Sequence, residues 1–113
     1  MFSFPRSSRL LKKPSYDFVF KAALRIGSYY FTILYRNNTL TYPRLGLIVA
    51  KKTAKRAHDR NRFKRIARES FRSAQHQLPP LDIIVLSKGK IDIAEQQSLH
   101  TDFENAWKKI QKR

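Results

Sequence analysis

Apolar residues recur every three or four positions in three stretches of the chain, which predicts three amphipathic helices. The middle helix is the longest, runs from about Arg60 to Gln77, and stops at Pro79-Pro80. A shorter helix precedes it and ends before Gly27, and the third lies in the C-terminal part. The predicted N-terminal caps are Ser15 for the first helix, Asp59 for the second, and Asp92 with Glu95 for the third. The predicted buried faces consist of Tyr16, Val19, Phe20 and Ala23; of Phe63, Ile66, Ala67, Ser70, Phe71 and Ala74; and of Leu99, Phe103, Ala106, Trp107 and Ile110.

Other stretches have the composition of strands. Tyr29–Arg36 is rich in aromatic and branched residues and alternates as a half-buried strand does, and Asp82–Ser87 is a short branched apolar run. Arg44–Ala50 is more uniformly apolar, which predicts a central strand, and its Gly46 indicates a close approach or an irregularity. Leu40–Tyr42 is a candidate for an extra strand. The order of elements predicts an α/β (α+β) fold, a two-layer sandwich of helices on one sheet.

The length of 113 residues predicts a single domain over residues 1–113, in which residues 1–13 form a basic segment that need not be ordered. A hydrophobic content of 42% is enough for a packed core and argues against a disordered polycation. The absence of cysteine excludes disulfides and thiolate chemistry. No apolar run is long enough to span a membrane and no signal peptide is recognisable, so we expect a cytoplasmic protein.

Positive charge is concentrated in one segment. Lys51–Arg72 holds ten Lys or Arg residues and two acids, a formal net charge of +8, which is half of the +16 of the whole chain. Arginine side chains on the predicted helix lie opposite its apolar stripe and suit bidentate contacts with phosphate oxygens. We therefore expect a polyanionic partner, against the alternatives of a solvated charged face and of an anionic membrane surface. These arginines are Arg62, Arg65, Arg68 and Arg72.

The triplet Arg60-Asn61-Arg62 falls in the first turn of the predicted helix, where free N–H groups and the helix dipole attract an anion. Asn61 alone of the three can both donate and accept hydrogen bonds. It is therefore suited to a base edge or a ribose hydroxyl, and equally to capping its own backbone.

A nuclease that acts alone would need convergent carboxylates to hold its metal ions. The eight Asp and Glu residues show no such clustering, and His58-Asp59 is interpreted as a loop histidine beside a helix cap. A ribosomal or RNA-assembly protein without catalytic association is the main alternative, because it needs the same charge. A DNA-binding module is disfavoured, since no helix-turn-helix spacing is visible.

Residues 59–69 read Asp-Arg-Asn-Arg-Phe-Lys-Arg-Ile-Ala-Arg-Glu and follow the segment Gly46–Lys52. Together these segments closely resemble the signature of the protein subunit of bacterial ribonuclease P. Asp17–Lys21, Ser70–Arg72 and Asp82–Val85 match the family's order and spacing, so the resemblance covers nearly the full length. It implies a small mixed sheet in which the signature helix makes a rare left-handed crossover between parallel strands, against the general right-handed preference.

The resemblance also implies a function. In that family the protein is an RNA-binding cofactor of a catalytic RNA, and the complex is the endoribonuclease that removes the 5′ leader from precursor tRNA. The RNA holds the catalytic magnesium ions and performs the hydrolysis, so no catalytic residue is expected in the protein. The expected partners are the catalytic RNA subunit and the precursor tRNA leader, with no membrane and no obligate protein partner.

The resemblance further implies roles for individual residues. Tyr16 and Phe20 match an aromatic pair that lines a leader cleft, and for both rings core packing is the alternative. Phe18 and Trp107 are interpreted as core residues, and Leu34 stands where some relatives carry a further cleft aromatic. The remaining matches are Arg60, Asn61, Arg62, Lys64, Arg65 and Arg68, which face the RNA subunit; Lys51 and Lys52, which lie near the leader; and Lys88, for which a solvated side chain is the alternative.

Overall fold

The structure is a computed structural model, and it describes residues 13–50, 56–88 and 96–111. These residues form three helices and a four-stranded sheet, which confirms the predicted mixed class of fold. A 3-10 turn follows the second helix at Gln75–Gln77. In chain order the elements are α1 (Lys13–Lys21), β1 (Leu24–Gly27), β2 (Phe31–Asn37), β3 (Arg44–Ile48), α2 (Ala57–Ala74), β4 (Leu81–Ser87) and α3 (Gln96–Gln111).

The sheet is mixed and has the strand order β1-β2-β4-β3. β2 pairs antiparallel with β1 and with β4, whereas β3 pairs parallel with β4. α2 connects these two parallel strands, so a helical crossover is present as the family resemblance implies. The left hand of the crossover stays a prediction.

β3 lies at an edge of the sheet, so the prediction that Arg44–Ala50 is a central strand is wrong. Its uniform apolarity has another cause. Leu45 is buried in the core with α2 and α3, whereas Gly46 lies against Tyr16 of α1. Both faces of β3 are covered although one edge is open, and a hydrophobic pattern reports covered faces rather than paired edges. The strand also ends earlier than predicted, at Ile48.

β1 was missed by the sequence analysis. The helical pattern predicts a first helix that continues almost to Gly27, but α1 ends at Lys21 and the chain then pairs with β2. Only one of the four residues of β1, Ile26, is buried. A strand this short has too few alternating positions to be recognised by its periodicity.

The connection from β2 to β3 consists of bends and does not contain the extra strand considered for Leu40–Tyr42. The Asn38 side chain organises it, because its Oδ1 accepts from the N–H of Leu40 at 2.8 Å and its Nδ2 donates to the Tyr42 carbonyl at 3.2 Å. The same Nδ2 donates to Asp82 of β4 at 3.0 Å. The loop is thereby tied to the middle of the sheet.

The helices cover the two faces of the sheet unequally. α2 and α3 pack on one face, where Phe31 of β2 stacks on Phe103 of α3 with ring centroids 4.2 Å apart. Trp107 is buried there and donates from Nε1 to Ser70 Oγ of α2 at 2.7 Å, which confirms it as a core residue. On the other face, α1 is the one helix among residues 13–50, 56–88 and 96–111, and Val19 is its buried residue. One short helix covers only part of that face.

α2 begins earlier than predicted, at Ala57, with Arg56 as the N-cap. The N–H groups of Asp59 and Arg60 both donate to the Arg56 carbonyl at 3.1 Å, and no side chain caps the helix. The prediction that Asp59 is the cap is therefore wrong, although its carboxylate still lies in the first turn, near the positive end of the helix dipole. The helical backbone ends at Gln77 as predicted, with the 3-10 turn as its last part.

Candidate nucleic-acid interface

The face of α2 that points away from the core carries the candidate RNA-binding side chains. Its opposite face is buried as predicted, except that Ala74 is only half-buried. The core side of α2 consists of Phe63, Ile66, Ala67, Ser70 and Phe71. On the outer side Asn61, Arg65 and Arg68 are exposed, and Arg60, Arg62, Lys64 and Arg72 are half-buried. The predicted amphipathic basic helix is confirmed, and what its cations bind stays a prediction.

The early start of α2 changes how the Arg-Asn-Arg triplet can meet an anion. Because the helix begins at Ala57, Arg60 closes the first turn, and Asn61 and Arg62 belong to the second. The free N–H groups of the helix start therefore precede the triplet. Arg62 Nη2 lies 3.5 Å from Nε2 of His58, one turn earlier. The triplet thus offers its side chains, rather than the helix N-terminus, to a phosphate.

His58 and Asp59 lie inside the first turn of α2, so the interpretation of a loop histidine beside a cap is wrong in its placement. The His58 side chain is exposed. Within residues 13–50, 56–88 and 96–111, no three His, Cys, Asp or Glu side chains are grouped so that they could hold a metal ion.

Tyr16 lies where α1, β3 and α2 meet. Its ring packs on the backbone of Gly46, since a Cβ atom added to Gly46 would lie 2.7 Å from the phenol oxygen and 2.9 Å from two ring carbons. This is the close approach that the glycine predicted. Burial raises the pKa of Tyr16, and a hydrogen bond with the Leu47 backbone and the charge of Arg68 oppose the increase. The half-buried phenol is therefore within electrostatic reach of the basic helix.

The other aromatic rings of α1 are accessible. Phe20 is 47% exposed, which excludes the alternative that it packs in the core. Phe18 is 36% exposed, and its prediction as a core residue is wrong. The Arg36 guanidinium lies 3.9 Å from the centroid of the Phe18 ring, and its Nη1 donates to the Phe18 carbonyl at 2.7 Å. Because α1 buries only the stripe at Val19, the flanks of the helix stay open.

The open part of this sheet face is apolar, and together with the rings of α1 we call it the cleft. Leu34 is half-buried beneath α1, where it packs with Val19 and Ile84. Ile48 at the end of β3 is 38% exposed, and it pairs in register with the half-buried Leu86 of β4. Position 34 of this chain therefore places an aliphatic side chain, which cannot stack as an aromatic ring does, in the floor of the cleft.

Lys88 directly follows β4 and is exposed. Its N–H donates to the Tyr30 carbonyl at 3.0 Å, which fixes the backbone at this position. Its Nζ lies 3.8 Å from the place that a Cβ atom on Gly27 would take. Gly27 pairs with Thr32, which shares a face with Leu34 beneath α1, so the amine lies on the side of the sheet that carries the cleft.

Lys51 and Lys52 lie outside the described residues. The chain leads towards them at Ala50, whose N–H donates to Ser87 Oγ at 3.2 Å. Ser87 is the last residue of β4 and precedes Lys88. The chain therefore enters the Lys51-Lys52 segment at the end of the sheet that carries Lys88.

Arg36 is a candidate residue that the sequence analysis missed. It alternates with Leu34 along β2, and this period of two places it on the face covered by α1. The alternation of Leu34 and Arg36 is visible in the sequence, but it does not reveal which face of the sheet α1 covers. The contact between Arg36 and Phe18 places a cation on an aromatic ring at the flank of α1 opposite Phe20.

Arg44 is also positively charged but serves the fold. Its Nε and Nη2 donate to the two carboxylate oxygens of Asp82 at 2.8 and 2.7 Å, and Asp82 is 1% exposed. Both residues stand opposite each other in the parallel pairing of β3 and β4. This bidentate ion pair neutralises Arg44 and joins the edge strand to the centre of the sheet.

The fold and this surface define the chain as a small, strongly basic α+β protein with the composition of an RNA-binding domain. The family model described as Ribonuclease P matches residues 4–111. The chain belongs to this family. It is similar to the ribonuclease P protein component of Cronobacter sakazakii, at 48% identity over 95% of this chain and 90% of the relative, and to that of Vibrio vulnificus, at 48% identity over 96% and 92%.

Solved structures of ribonuclease P proteins share the fold of this chain. The ribonuclease P protein from Thermotoga maritima superposes with a TM-score of 0.72 at 27% identity, covering 93% of this chain and 96% of that protein. A mutant of the Staphylococcus aureus protein superposes with a TM-score of 0.75 at 25% identity, covering 95% and 87%. The relatives are bacterial proteins, and family membership makes this chain the RNA-binding subunit of a tRNA-processing ribonucleoprotein that also contains an RNA subunit. No helix within the described residues is long and apolar enough to cross a membrane.

Proposed function

We propose that this subunit binds the catalytic RNA with the basic face of α2 and holds the 5′ leader of precursor tRNA in the cleft, while the RNA performs the hydrolysis. The observation that carries the proposal is the position of Tyr16, packed on Gly46 and within electrostatic reach of Arg68. It joins the cleft to the basic helix at one edge strand. A leader in the cleft and an RNA on α2 are then direct neighbours.

The RNA-binding side of the proposal rests on the rigidity of α2. Its apolar stripe is buried, including Phe63 and Phe71, so the helix cannot rotate to follow a ligand. Cations on such a helix are held in position before RNA arrives, and guanidinium groups can grip phosphate oxygens with two hydrogen bonds. The proposed contacts are Arg60, Asn61, Arg62, Lys64, Arg65 and Arg68.

The leader-binding side rests on the accessible aromatic rings. An unpaired base stacks on an aromatic face whatever its identity, at about 1–3 kcal/mol per base, so such a cleft accepts leaders of different sequence. Phe20 offers the more exposed ring and Tyr16 the half-buried one. In this proposal Lys88 neutralises leader phosphates at the end of the cleft, and Lys51 and Lys52, which lie outside the described residues, contribute to the same task.

The division of labour follows from the chemistry of the side chains. Phosphodiester hydrolysis with magnesium needs convergent carboxylates or phosphate oxygens as metal ligands, and RNA supplies the latter. The described residues group no three acidic or histidine side chains for that purpose. We therefore propose that magnesium is held mainly by the RNA, and that the protein lowers the magnesium requirement by screening phosphate repulsion. The complex would act in the cytoplasm, where bacterial tRNA is transcribed, without an obligate second protein.

Reconstitution with the cognate catalytic RNA tests the proposal. At low magnesium, RNA and protein together should cleave precursor tRNA, whereas neither should do so alone. Raising magnesium should restore cleavage by the RNA alone, because metal ions then replace the cations of the protein. Cleavage by the protein without RNA, or equal cleavage with and without protein at low magnesium, would contradict the proposal.

Two variants separate the two surfaces. Arg62→Ala with Arg65→Ala should weaken assembly with the catalytic RNA at least about tenfold, because two phosphate contacts together exceed about 1.4 kcal/mol. Phe20→Ala should weaken binding of leader-bearing substrate about 5-fold or more, as expected for one lost stacking contact. Lys108→Ala with Lys109→Ala, which removes the same charge from α3, is the matched control. Equal effects of Phe20→Ala on substrates with and without a leader would exclude the cleft as the leader site.

A further inference from the structure

Tyr29 is an exposed aromatic residue that the proposed function does not use. At 77% exposure it is the most exposed large hydrophobic side chain in the part of the chain that the structure describes. It lies in the turn between β1 and β2, which the N–H of Ser28 closes by donating to the Phe31 carbonyl at 2.9 Å. Two-residue turns of this kind favour Gly, Asn and Asp, so turn formation does not explain a tyrosine here.

The Tyr29 ring is held by its neighbours although it is exposed. It meets the ring of Tyr30 edge-on, with centroids 4.9 Å apart and an interplanar angle of 83°. Tyr30 is buried, and its N–H donates to Ser28 Oγ at 3.3 Å. Ser28 Oγ in turn donates to Asp102 Oδ2 of α3 at 3.0 Å, so the turn is bound to the layer formed by α2 and α3. The turn that carries the ring is therefore fixed before a ligand arrives, and the edge contact with Tyr30 supports the ring, which lowers the entropy cost of binding.

Two cations border the same hairpin. Lys88 places its Nζ 3.8 Å from the Cβ position of Gly27, two residues before Tyr29. Arg25 is exposed and pairs in register with Leu34, which packs beneath α1. Arg25 and Gly27 are two residues apart on β1, so both cations lie on the side of the sheet that carries the cleft. An aromatic ring at the tip of a hairpin, with cations at or beside the positions two and four residues before it along β1, has the composition of a single-strand binding site.

We propose that Tyr29 stacks on an unpaired nucleobase of RNA whose neighbouring phosphates contact Arg25 and Lys88. The proposal rests on the function proposed above and adds a second stacking position, on a different element from α1. Two sources offer such a base with the same chemistry. One is the leader beyond the cleft, and the other is an unpaired nucleotide of the catalytic RNA.

Four variants at this position test the chemistry of the contact. Tyr29→Ala should weaken RNA binding about 5- to 150-fold, which corresponds to one stacked base. Tyr29→Phe and Tyr29→Trp should keep the affinity because they keep an aromatic face. Tyr29→Leu is the matched control for apolar area, and it should lose affinity as the alanine variant does. All four should unfold at the urea concentration of the wild type, since the side chain contributes little to the core.

Two arms of the experiment identify the source of the base. In the first, substrates with leaders of increasing length, each carrying 2-aminopurine at its 5′ end, are bound to the reconstituted complex. If the leader supplies the base, the loss in Tyr29→Ala appears only beyond a threshold length, together with a loss of fluorescence quenching. In the second arm the catalytic RNA is titrated without substrate, and a loss there assigns the base to that RNA.

Wild-type affinity of Tyr29→Ala in both arms overturns the inference. So does a leucine variant that binds as well as the phenylalanine variant, because the contact would then be apolar, of the kind a protein partner makes. Failure of the proposed function gives a different result, since the wild-type protein would then bind neither the catalytic RNA nor the leader-bearing substrate. The two failures are therefore distinguishable in one set of titrations.

Discussion

Replacing Gly46 by alanine should displace Tyr16 and damage both folding and the cleft. The new Cβ would lie 2.7 Å from the phenol oxygen and 2.9 Å from two ring carbons, well inside ordinary contact of 3.4–4 Å. The ring must therefore move by about 0.6–1.1 Å before its carbon atoms, now 2.9 Å away, regain a separation near 3.5–4.0 Å. Inserting a methyl group into a packed contact costs about 1–3 kcal/mol.

Alanine offsets part of this cost, because it loses less backbone entropy on folding than glycine does. The difference stabilises the folded state by about 0.5–1 kcal/mol. We expect a net loss of about 1–2 kcal/mol in the free energy of unfolding, by the difference of these two magnitudes. Gly27→Ala is the matched control, since its Cβ would meet only Lys88 Nζ at 3.8 Å. That substitution should be neutral or slightly stabilising.

Urea unfolding followed through the fluorescence of the buried Trp107 measures these differences, and a double-mutant cycle isolates their cause. In a Tyr16→Ala background the added methyl group has no ring to displace, so Gly46→Ala should no longer destabilise. We expect a coupling energy of about 1 kcal/mol or more between the two positions. The single variant Gly46→Ala should bind leader-bearing substrate more weakly than the wild type and leaderless substrate as well as the wild type. Additive effects in the cycle, or a wild-type stability of Gly46→Ala, would refute the assigned contact.

Three further predictions concern the ion pair, the phenol and the basic helix. Asp82→Ala should lower the free energy of unfolding by about 1.5–3 kcal/mol in urea titrations, because Arg44 loses a charged hydrogen-bond partner, whereas alanine at the exposed Asp17 should not. Burial raises the pKa of Tyr16 above the ordinary 10.0, so its contribution to stability is full below pH 10.0 and is lost as pH rises through the raised pKa. Tyr16→Phe cannot lose this proton, so its free energy of unfolding, measured in urea, should fall less over the same pH interval. If six cations of α2 contact single-stranded phosphates, log affinity should fall with log salt at a slope of about −4, and Arg65→Ala should reduce the slope by about 0.7.

The sequence was most informative where periodicity was long. The apolar positions of α2 keep helical spacing from Phe63 to Ala74, over about three turns, and no strand or loop can satisfy such a pattern. The opposite face of that helix, with its cations, could therefore be predicted as well. Gly46 also had a specific meaning, because a glycine inside an apolar strand indicates a close neighbour, and that neighbour is Tyr16.

The errors arise where the fold depends on pairings that local patterns do not contain. An apolar run reports that both faces of β3 are covered, but strand order decides whether its edges are paired. Phe18 is predicted in the core because it is apolar, yet among the described residues no second helix lies beside α1 to bury that flank. Asp59 is a good cap by type, but the hydrogen bonds to the Arg56 carbonyl start the helix earlier.

The two layers of helices explain why one small domain can serve two kinds of RNA. α2 and α3 bury their apolar faces in one core, so the cations of α2 are fixed and suit an RNA of defined shape. α1 covers its face incompletely, so rings such as Phe20 remain accessible and suit a strand of variable sequence. β3 lies between these surfaces, and Tyr16 on one side of it is within electrostatic reach of Arg68 on the other. The positive charge of Arg68 therefore acts on both surfaces, and Arg68→Ala should weaken binding of leader-bearing substrate as well as assembly with the catalytic RNA, which titrations of each RNA would measure.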